Sequence, residues 1–228
     1  VMRKFLFAVA ALALTGTAQA ANLVTNGGFE AGNTGFGSTY VYVPGTGPSA
    51  MVPENTYTVG TDAANYHSSW ASISAYEGDN YFIANGSPLS DAPAWSQLLT
   101  GLTVGATYNF SAYAVNVCCN ASFGGTNVSP IIITAGSNNS PLTIANSGAL
   151  GSTGVWTQFT GSFVADSTST TLSIFTDVSA ASGNDFGLDA ISVTAAVPEP
   201  ATWLMMIAGF GFIGGVMRRR NKAVVSYA

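Results

Sequence analysis

The chain has 228 residues, of which 47% are hydrophobic and only 7% are charged. All eleven acidic residues lie between residues 21 and 200, whereas the six basic residues lie at the two ends, at Arg3, Lys4, Arg218, Arg219, Arg220 and Lys222. A central part without positive charge repels phosphate backbones, which argues against nucleic-acid binding. Its electrostatic partners are cations, including divalent metals. Solubility of a secreted protein is the alternative reason for this charge.

The N-terminal segment has the three parts of a secretory signal peptide. Two basic residues precede an apolar run over residues 5–14, and small residues follow. This order predicts a signal helix over residues 2–20, recognised by the Sec machinery and cut after Ala20, with Ala18 and Ala20 as the cleavage residues. The run is too short for a stable membrane anchor. A buried apolar helix is the alternative interpretation.

Residues 21–193 consist of short β-prone runs separated by turn residues, and no long stretch has helical periodicity. The predicted strands cover residues 22–25, 39–43, 57–59, 70–75, 81–84, 96–99, 107–117, 131–134, 142–145, 155–163, 171–176 and 188–193. Short strands at this spacing, without a repeat of about 20–50 residues, predict an all-β domain of β-sandwich or jelly-roll architecture.

Cys118 and Cys119 are the only cysteines, and they are adjacent. Export would permit a disulfide. Adjacent cysteines could join each other only through a strained vicinal ring, and neighbouring side chains on a strand point to opposite faces. We therefore expect two free or loop thiols, with the vicinal ring as the alternative. Their spacing does not match a zinc or redox site.

Several aromatic residues are candidates for a platform on which sugar rings stack. Pyranose rings expose apolar C–H faces, and nearby Asn, Gln and Asp side chains would bind the hydroxyl groups. The candidates are Trp70, Trp95 and Trp156, with Tyr76, Tyr81 and Tyr113 as further members. Since half of each strand faces inward, burial in the core is the alternative for each of them.

Catalytic patterns are sparse. Glu77 and Asp79 are paired carboxylates of the kind that cleaves glycosidic bonds, but their position around Gly78 is more typical of a turn. His67 is the only histidine, so a Ser-His-Asp triad or a histidine metal centre would depend on it alone. We therefore expect a protein that is not an enzyme. The alternative is a secreted carbohydrate-active enzyme, either a glycoside hydrolase or a lyase.

Four segments of the domain form a pattern that is spread over most of its length. They are Asn22-Leu-Val-Thr-Asn-Gly-Gly-Phe-Glu30, Gly78-Asp-Asn-Tyr-Phe-Ile-Ala84, Trp156-Thr-Gln-Phe-Thr160 and Asp185-Phe-Gly-Leu-Asp-Ala-Ile-Ser-Val193. This pattern resembles the galactose-binding-like jelly rolls, a fold that many carbohydrate-binding modules share. The resemblance implies a structural Ca²⁺ held by Glu30 and Asp189. Ala190 stands where that family often has a second acid.

The C-terminal tail has three unlike parts in a fixed order. The first is the helix-breaking block Pro198, Glu199 and Pro200, with Trp203 shortly after it. The second is an apolar run that predicts a transmembrane helix over residues 201–217. The third is the cluster Arg218, Arg219 and Arg220, which would stay at the cytoplasmic face. We place a linker at residues 194–197 and the tail at residues 198–222.

The tail resembles the PEP-CTERM protein-sorting tail of Gram-negative bacteria. The resemblance implies transient anchoring in the inner membrane and cleavage by an exosortase near the Pro-Glu-Pro block. It also implies a role with exopolysaccharide at the cell surface or in a biofilm matrix. We therefore expect an exported, carbohydrate-binding protein. The alternative is a structural protein that stays anchored in the membrane because its tail is not cut.

Overall fold

A computed structural model of the chain describes residues 20–89, 92–119, 131–136, 142–176, 184–196 and 201–220. The predicted signal helix, with Ala18, and the block Pro198, Glu199 and Pro200 lie outside the described residues, which begin at Ala20. The strands are β1 (Val41–Tyr42), β2 (Thr56–Gly60), β3 (Tyr81–Asn85), β4 (Trp95–Thr100), β5 (Thr107–Asn116), β6 (Ile131–Gly136), β7 (Leu142–Asn146), β8 (Thr157–Val164), β9 (Ser169–Thr176) and β10 (Phe186–Ala195). A short 3₁₀ helix at Ala63–Asn65 and the helix α1 at Ala201–Arg220 complete the described elements.

The strands form two sheets. The larger sheet has the strand order β1-β2-β3-β10-β5-β8, and the smaller sheet has the order β4-β9-β6-β7. The short pair β1 and β2 is parallel, and the other neighbours are antiparallel. The last strand, β10, lies between β3 and β5, in the middle of the larger sheet. This arrangement confirms the predicted β-sandwich.

Alternation along the strands builds the core between the two sheets. On β5, Tyr108, Phe110 and Ala112 are buried in this core, as the period of two in the sequence predicts. Trp95 of β4 and Phe82 of β3 belong to the same core, so both sheets contribute aromatic rings to it. The inward face of each strand is therefore committed to packing, and functional side chains must lie on the outward faces.

The predicted strands over residues 22–25 and 70–75 do not form. Leu23 donates one backbone hydrogen bond to the Val193 carbonyl (2.8 Å). Residues 61–80 instead cross the outer face of the larger sheet, where Trp70 and Ile73 pack with Tyr81 and other residues in a second buried cluster. Asp62 anchors this crossing, because its carboxylate accepts hydrogen bonds from the backbone N–H groups of Ala64 and Ile73 (both 3.0 Å). Burial of Trp70 and Ile73 within the crossing explains why residues 70–75 are as hydrophobic as a strand, although their only strand-like pairing among the described residues is an isolated β-bridge between Trp70 and Cys118.

Cys118 and Cys119 form a disulfide with each other, which corrects the expectation of two free thiols. The expectation applied to both residues the rule that neighbouring side chains on a strand diverge. They lie instead beyond the last residue of β5, Asn116. The alternation of a strand therefore does not apply to them.

The tail helix α1 contains the apolar run predicted to be helical and continues through the three arginines to Arg220. Trp203 lies in its first turn, and the side chain of Arg218 is exposed. Within the described part of the chain, no helix is both long enough and apolar enough to cross a membrane. The transmembrane part of the prediction is therefore not confirmed.

Candidate functional site

Part of the outer face of the larger sheet lies beyond the crossing of residues 61–80, and it is polar. The register of β8, β5 and β10 places the side chains in three rows: Gln158, Tyr113 and Asp189; Thr160, Ser111 and Ser192; Ser162, Asn109 and Thr194. We call these three rows the polar face. A groove of about 500 Å³ follows the second and third of these rows. It is lined by Asn109, Ser111, Thr160, Ser162 and Thr194, among others. The face thus offers hydroxyl and amide groups along an open channel.

An aromatic cluster borders the polar face at the row of Tyr113. The ring of Tyr76 stacks on the ring of Tyr113, with centroids 3.5 Å apart and planes 15° apart. Trp156 packs edge-on against Tyr76 and Tyr81, at centroid distances of 6.2 and 5.4 Å. Its Nε1 donates to the Ser74 carbonyl (3.1 Å). Since Tyr76 remains 43% exposed, the cluster presents a fixed aromatic surface to solvent.

Two carboxylates hold the loop that carries Tyr76. Asp189 Oδ2 accepts the backbone N–H groups of Tyr76 (2.9 Å) and Glu77 (3.1 Å), and its Oδ1 accepts that of Ala190 (2.7 Å). Glu30 Oε1 accepts the backbone N–H groups of Asp79 (2.9 Å) and Asn80 (2.8 Å). The first and last segments of the domain therefore fix one loop, and that loop positions the aromatic cluster.

Burial raises the pKa of Asp189 to about 6, the three backbone N–H groups oppose this rise, and the nearby charge of Glu77 adds to it. The side chain of Asp189 is fully buried, and Ala190 beside it has a φ of 50° at the irregularity where β10 and β5 change register. Such a bulge turns a side chain away from the regular alternation of its strand. The carboxylate of Asp189 therefore contacts the backbone of residues 76–77 and is not exposed to solvent.

The predicted calcium ligands, Glu30 and Asp189, thus bind neighbouring parts of one loop. Several of their oxygen lone pairs are engaged by backbone N–H groups. Among the described residues, no group of three or more Asp, Glu, His or Cys side chains is arranged to hold a metal ion. Calcium at Glu30 and Asp189 stays a prediction, and we derive no step of the function from it.

Two of the three candidate tryptophans do not face solvent. Trp95 is fully buried in the core between the sheets, where it stacks with Phe36 at a centroid distance of 6.4 Å. Trp70 is 2% exposed, and its Nε1 donates to Asp185 Oδ2 (3.1 Å). Neither ring presents a face on which a sugar could stack in this conformation. Trp156, half-buried in the aromatic cluster, is the candidate that borders the polar face.

The possible catalytic residues lie apart from the groove. Glu77 and Asp79 flank Gly78, whose φ of 66° marks the turn favoured by the sequence. His67 stacks on Trp70 with ring centroids 5.0 Å apart, and its Nδ1 lies 2.8 Å from the hydroxyl of Ser69. Burial lowers the pKa of His67. This environment favours an uncharged imidazole.

The groove residues of β8 and β10 are absent from the sequence-based candidates. Thr160, Ser162, Ser192 and Thr194 are ordinary residues on the outer positions of strands, and only the pairing of β10 and β8 with β5 aligns them. Alternation in β5 was the available signal, because it places Asn109, Ser111 and Tyr113 on one face. The residues of β8 and β10 that lie beside these three can be identified only once the strand order is known.

In fold, the chain is similar to a cyclase from Fischerella sp. TAU, solved in complex with 4-(1H-indol-3-yl)butan-2-one. The sequence identity is 16% and the TM-score 0.55, and the match covers 79% of this chain and 100% of the cyclase. It is also similar to the CBM22-1–GH10 modules of a Clostridium thermocellum xylanase, solved with xylohexaose, at 18% identity and a TM-score of 0.42. That match covers 55% of this chain and only 23% of the xylanase structure.

A third similar structure is the CBM22-1 xylan-binding domain of a Paenibacillus barcinonensis protein, at 16% identity and a TM-score of 0.42, covering 57% of this chain and 80% of that one. Comparison with curated proteins over the whole sequence finds no match. The structural neighbours of the chain thus include carbohydrate-binding modules with a β-sandwich fold. At these identities the similarity concerns the fold alone.

The tail matches the PEP-CTERM protein-sorting motif over residues 196–221. This match confirms the resemblance seen in the sequence. The chain therefore combines a β-sandwich, whose neighbours include carbohydrate-binding modules, with a PEP-CTERM sorting motif.

Proposed function

We propose that this is an exported surface protein whose β-sandwich binds a polysaccharide on the polar face. The main support for this proposal is the stack of Tyr76 on Tyr113, which belongs to the first row of the polar face. A sugar ring requires an aromatic surface for its C–H face and directed polar groups for its hydroxyls. The aromatic cluster supplies the former, and Gln158, Ser111 and Asn109 with their row neighbours supply the latter.

The bound polysaccharide is uncharged in this proposal. No Lys or Arg occurs between residues 5 and 217, so the domain has no cationic side chain with which to bind a carboxylate or sulfate of an acidic glycan. The acids Glu77 and Asp189 beside the aromatic cluster would repel such a group. Neutral hexose or pentose polymers fit this charge, and their hydroxyls match the serine and threonine rows.

We propose that binding, rather than catalysis, is the function. The polar side chains that line the groove are hydroxyl and amide groups, which bind sugars but do not act as the acid and base of glycoside hydrolysis. The test is incubation of the full chain with the host's own polysaccharide. We expect no release of reducing ends, and release by the wild-type chain would overturn this proposal. Loss of that release in a Glu77→Gln, Asp79→Asn variant would assign the catalysis to these carboxylates, and its persistence would place it elsewhere.

The sorting motif supports export and processing. In this proposal the signal segment directs the chain across the inner membrane, an exosortase cuts near Pro198-Glu199-Pro200, and the domain reaches the cell surface or the biofilm matrix with its exopolysaccharide. Intact mass measurement of the protein recovered outside the cell tests the processing step. A mass that still includes Arg218, Arg219 and Arg220 would contradict cleavage and favour a protein that stays anchored.

Binding is tested with a glycan array of neutral and acidic polysaccharides, followed by titration of the best ligand. Tyr113→Ala removes the base of the stack, and we expect affinity to fall at least about tenfold, because one aromatic contact contributes about 1.5 kcal/mol. Tyr42→Ala is the matched control, since Tyr42 is an exposed tyrosine on β1 at the opposite edge of the same sheet. Equal loss in both variants, or equal binding of neutral and acidic glycans, would contradict the proposed site.

A further inference from the structure

A second group of acids and amides lies at the other end of the outer face, around Gly86. The Asn55 N–H donates to the Gly86 carbonyl (3.1 Å), and the Gly86 N–H donates to the Asp185 carboxylate. Asn184 packs so closely on Gly86 that any side chain at this position would overlap its backbone carbonyl and its amide. Three loops therefore converge on one glycine. They bring together Glu54 and Asn55, Asn85 at the end of β3, and Asn184 and Asp185 before β10.

The two acids in this group are withdrawn from water and have no basic partner. Asp185 is 9% exposed, and Glu54 is half-buried. Burial raises the pKa of both carboxyls, and the charge of Glu54 contributes to the rise at Asp185. No lysine or arginine occurs between residues 5 and 217, so no basic side chain of the domain can compensate the pair. A buried carboxylate beside a half-buried one, with no basic partner, favours either a proton or a bound cation.

Unpartnered amide oxygens in the same group favour a cation. The side chain of Asn184 is fully buried, and its amide faces Glu54, with Nδ2 3.5 Å from Oε2. Its Oδ1 has no hydrogen-bond partner among the described residues. The Oδ1 atoms of Asn55 and Asn85 are likewise buried and unpartnered within the described part of the chain. A buried oxygen without a donor costs about 1–3 kcal/mol, and a proton on Asp185 could satisfy at most one of these oxygens.

The chemistry of the available donors identifies the ion. Carboxylate and amide oxygens are hard ligands, and the group contains neither a histidine nor a cysteine. Ca²⁺ takes six to eight such oxygens, and backbone carbonyls or water complete the shell. Zinc prefers nitrogen and sulfur ligands, and Mg²⁺ demands a stricter octahedral arrangement. We propose that Glu54, Asp185 and Asn184, with the nearby amides of Asn55 and Asn85, form a Ca²⁺-binding site that joins the loops around Gly86.

Direct binding tests the site in the full chain after treatment with a chelator. Ca²⁺ is titrated into wild type and into Glu54→Gln, which keeps the shape of the side chain and removes its charge. We expect the affinity of this site to fall on the order of tenfold or more, because calcium affinity follows ligand charge. Asp166→Asn is the matched control, since Asp166 is an exposed acid outside the group, and its titration should equal that of wild type.

Terbium luminescence separates this site from the calcium predicted at Glu30 and Asp189. Trp70 donates to Asp185 at 3.1 Å, so a Tb³⁺ ion bound here lies beside an indole that can sensitise its emission. We expect Trp70→Phe or Glu54→Gln to abolish the sensitised emission, and Glu30→Ala to leave it intact. Circular dichroism shows whether each variant is folded.

Three results would overturn the proposal. The first is a wild type that binds neither Ca²⁺ nor Tb³⁺, which would mean that the acids are held by a proton. The second is identical titrations for wild type and folded Glu54→Gln. The third is emission that disappears in Glu30→Ala but persists in Trp70→Phe, which would place the ion at the other pair of acids.

Discussion

Asp185 and Asp189 lie four positions apart at one strand, and both are buried beside the outer face of the larger sheet. Asp189 receives three backbone N–H groups, all within 3.1 Å, and so closes a loop. The carboxylate of Asp185 accepts hydrogen bonds from the indole N–H of Trp70 and from one backbone N–H, and it lies near a second acid, Glu54. Burial alone therefore does not define the role of a carboxylate. The number of donors around it decides between a structural anchor and a ligand for a proton or a cation.

The largest expected effect that separates the two acids is the pH dependence of the free energy of unfolding in chelator. Burial raises the pKa of Asp185 to about 7 and that of Asp189 to about 6, from an ordinary value of 3.8. The folded state then holds protons that the unfolded state releases, so stability is present at low pH and is lost as pH rises toward the folded pKa. From about pH 5 to about pH 8 we expect a loss of about 3 kcal/mol from Asp185 and about half of that from Asp189.

Urea unfolding across this pH range measures the loss. Asp185→Asn should remove the larger part of the pH-dependent loss in the free energy of unfolding, and Asp189→Asn should remove the smaller part. Burial also raises the pKa of Glu54, and the charge of Glu54 adds to the rise at Asp185, so both carboxyls contribute to the pH dependence. Two results would contradict this prediction: stability that increases with pH over this range, or equal effects of the two substitutions.

Asp189→Ala tests the anchor itself. It leaves three backbone N–H groups without their acceptor, and we expect a loss of about 3 kcal/mol in the free energy of unfolding near neutral pH. The loop around Tyr76 should loosen, so polysaccharide affinity should fall with stability. Asp166→Ala, at an exposed acid, is the control and should change stability by less than about 0.5 kcal/mol. A loss below about 1 kcal/mol in Asp189→Ala would show that the three hydrogen bonds do not hold the loop.

Gly78→Ala tests the contact between the loop around Tyr76 and Glu30. Gly78 has a φ of 66° and lies against the carboxylate of Glu30, so a methyl group adds both backbone strain and a clash. We expect a loss of about 2 kcal/mol by thermal unfolding. Gly105→Ala is the matched control, because Gly105 has a φ of 81° with open space around it and reports strain alone. Equal losses at the two glycines would exclude the Glu30 contact as a cause.

Glu30→Gln should have the smallest effect. Glu30 is exposed, and a glutamine oxygen can accept the same backbone N–H groups, so we expect a change below about 1 kcal/mol in chelator. With calcium present, the prediction for Glu30 and Asp189 is that added Ca²⁺ raises the melting temperature and that Glu30→Ala abolishes this part of the rise. If the Ca²⁺-dependent rise in melting temperature is unchanged in Glu30→Ala, Glu30 is not a calcium ligand and only holds the loop.

Much of the fold could be predicted because it depends on local pattern. Alternation in β5 and the turn residues around it identify the strand and its inward face, and most predicted strands form within a few residues of their expected bounds. Residues 22–25 and 70–75 are exceptions, and in the second case the segment belongs to a crossing whose buried residues give it the composition of a strand. The disulfide between Cys118 and Cys119 was missed because the alternation of a strand was applied to two residues that lie beyond the end of β5.

The candidate site could be predicted only where neighbours in sequence are also neighbours in space. Tyr76, Tyr113 and Trp156 are recognisable as aromatic candidates, but their contact depends on the loop that Asp189 holds. Trp95 shows the opposite case, because its burial depends on the packing of two sheets. Glu54 and Asp185 are 131 positions apart by their numbers, and nothing in the sequence pairs them. Their proximity follows from the strand order, which local pattern does not contain.

The central position of β10 sets the order in which this molecule can assemble. β3 and β5 have no hydrogen-bonded neighbour between them until residues 186–195 arrive, and the anchor Asp189 arrives with them. A chain that emerges from its N-terminus must therefore wait for nearly its whole domain before the larger sheet can close. The matched sorting motif begins at residue 196, directly after this strand. The last strand that the larger sheet needs and the start of the tail are thus adjacent in the chain, so the domain becomes able to fold only as the tail is being made.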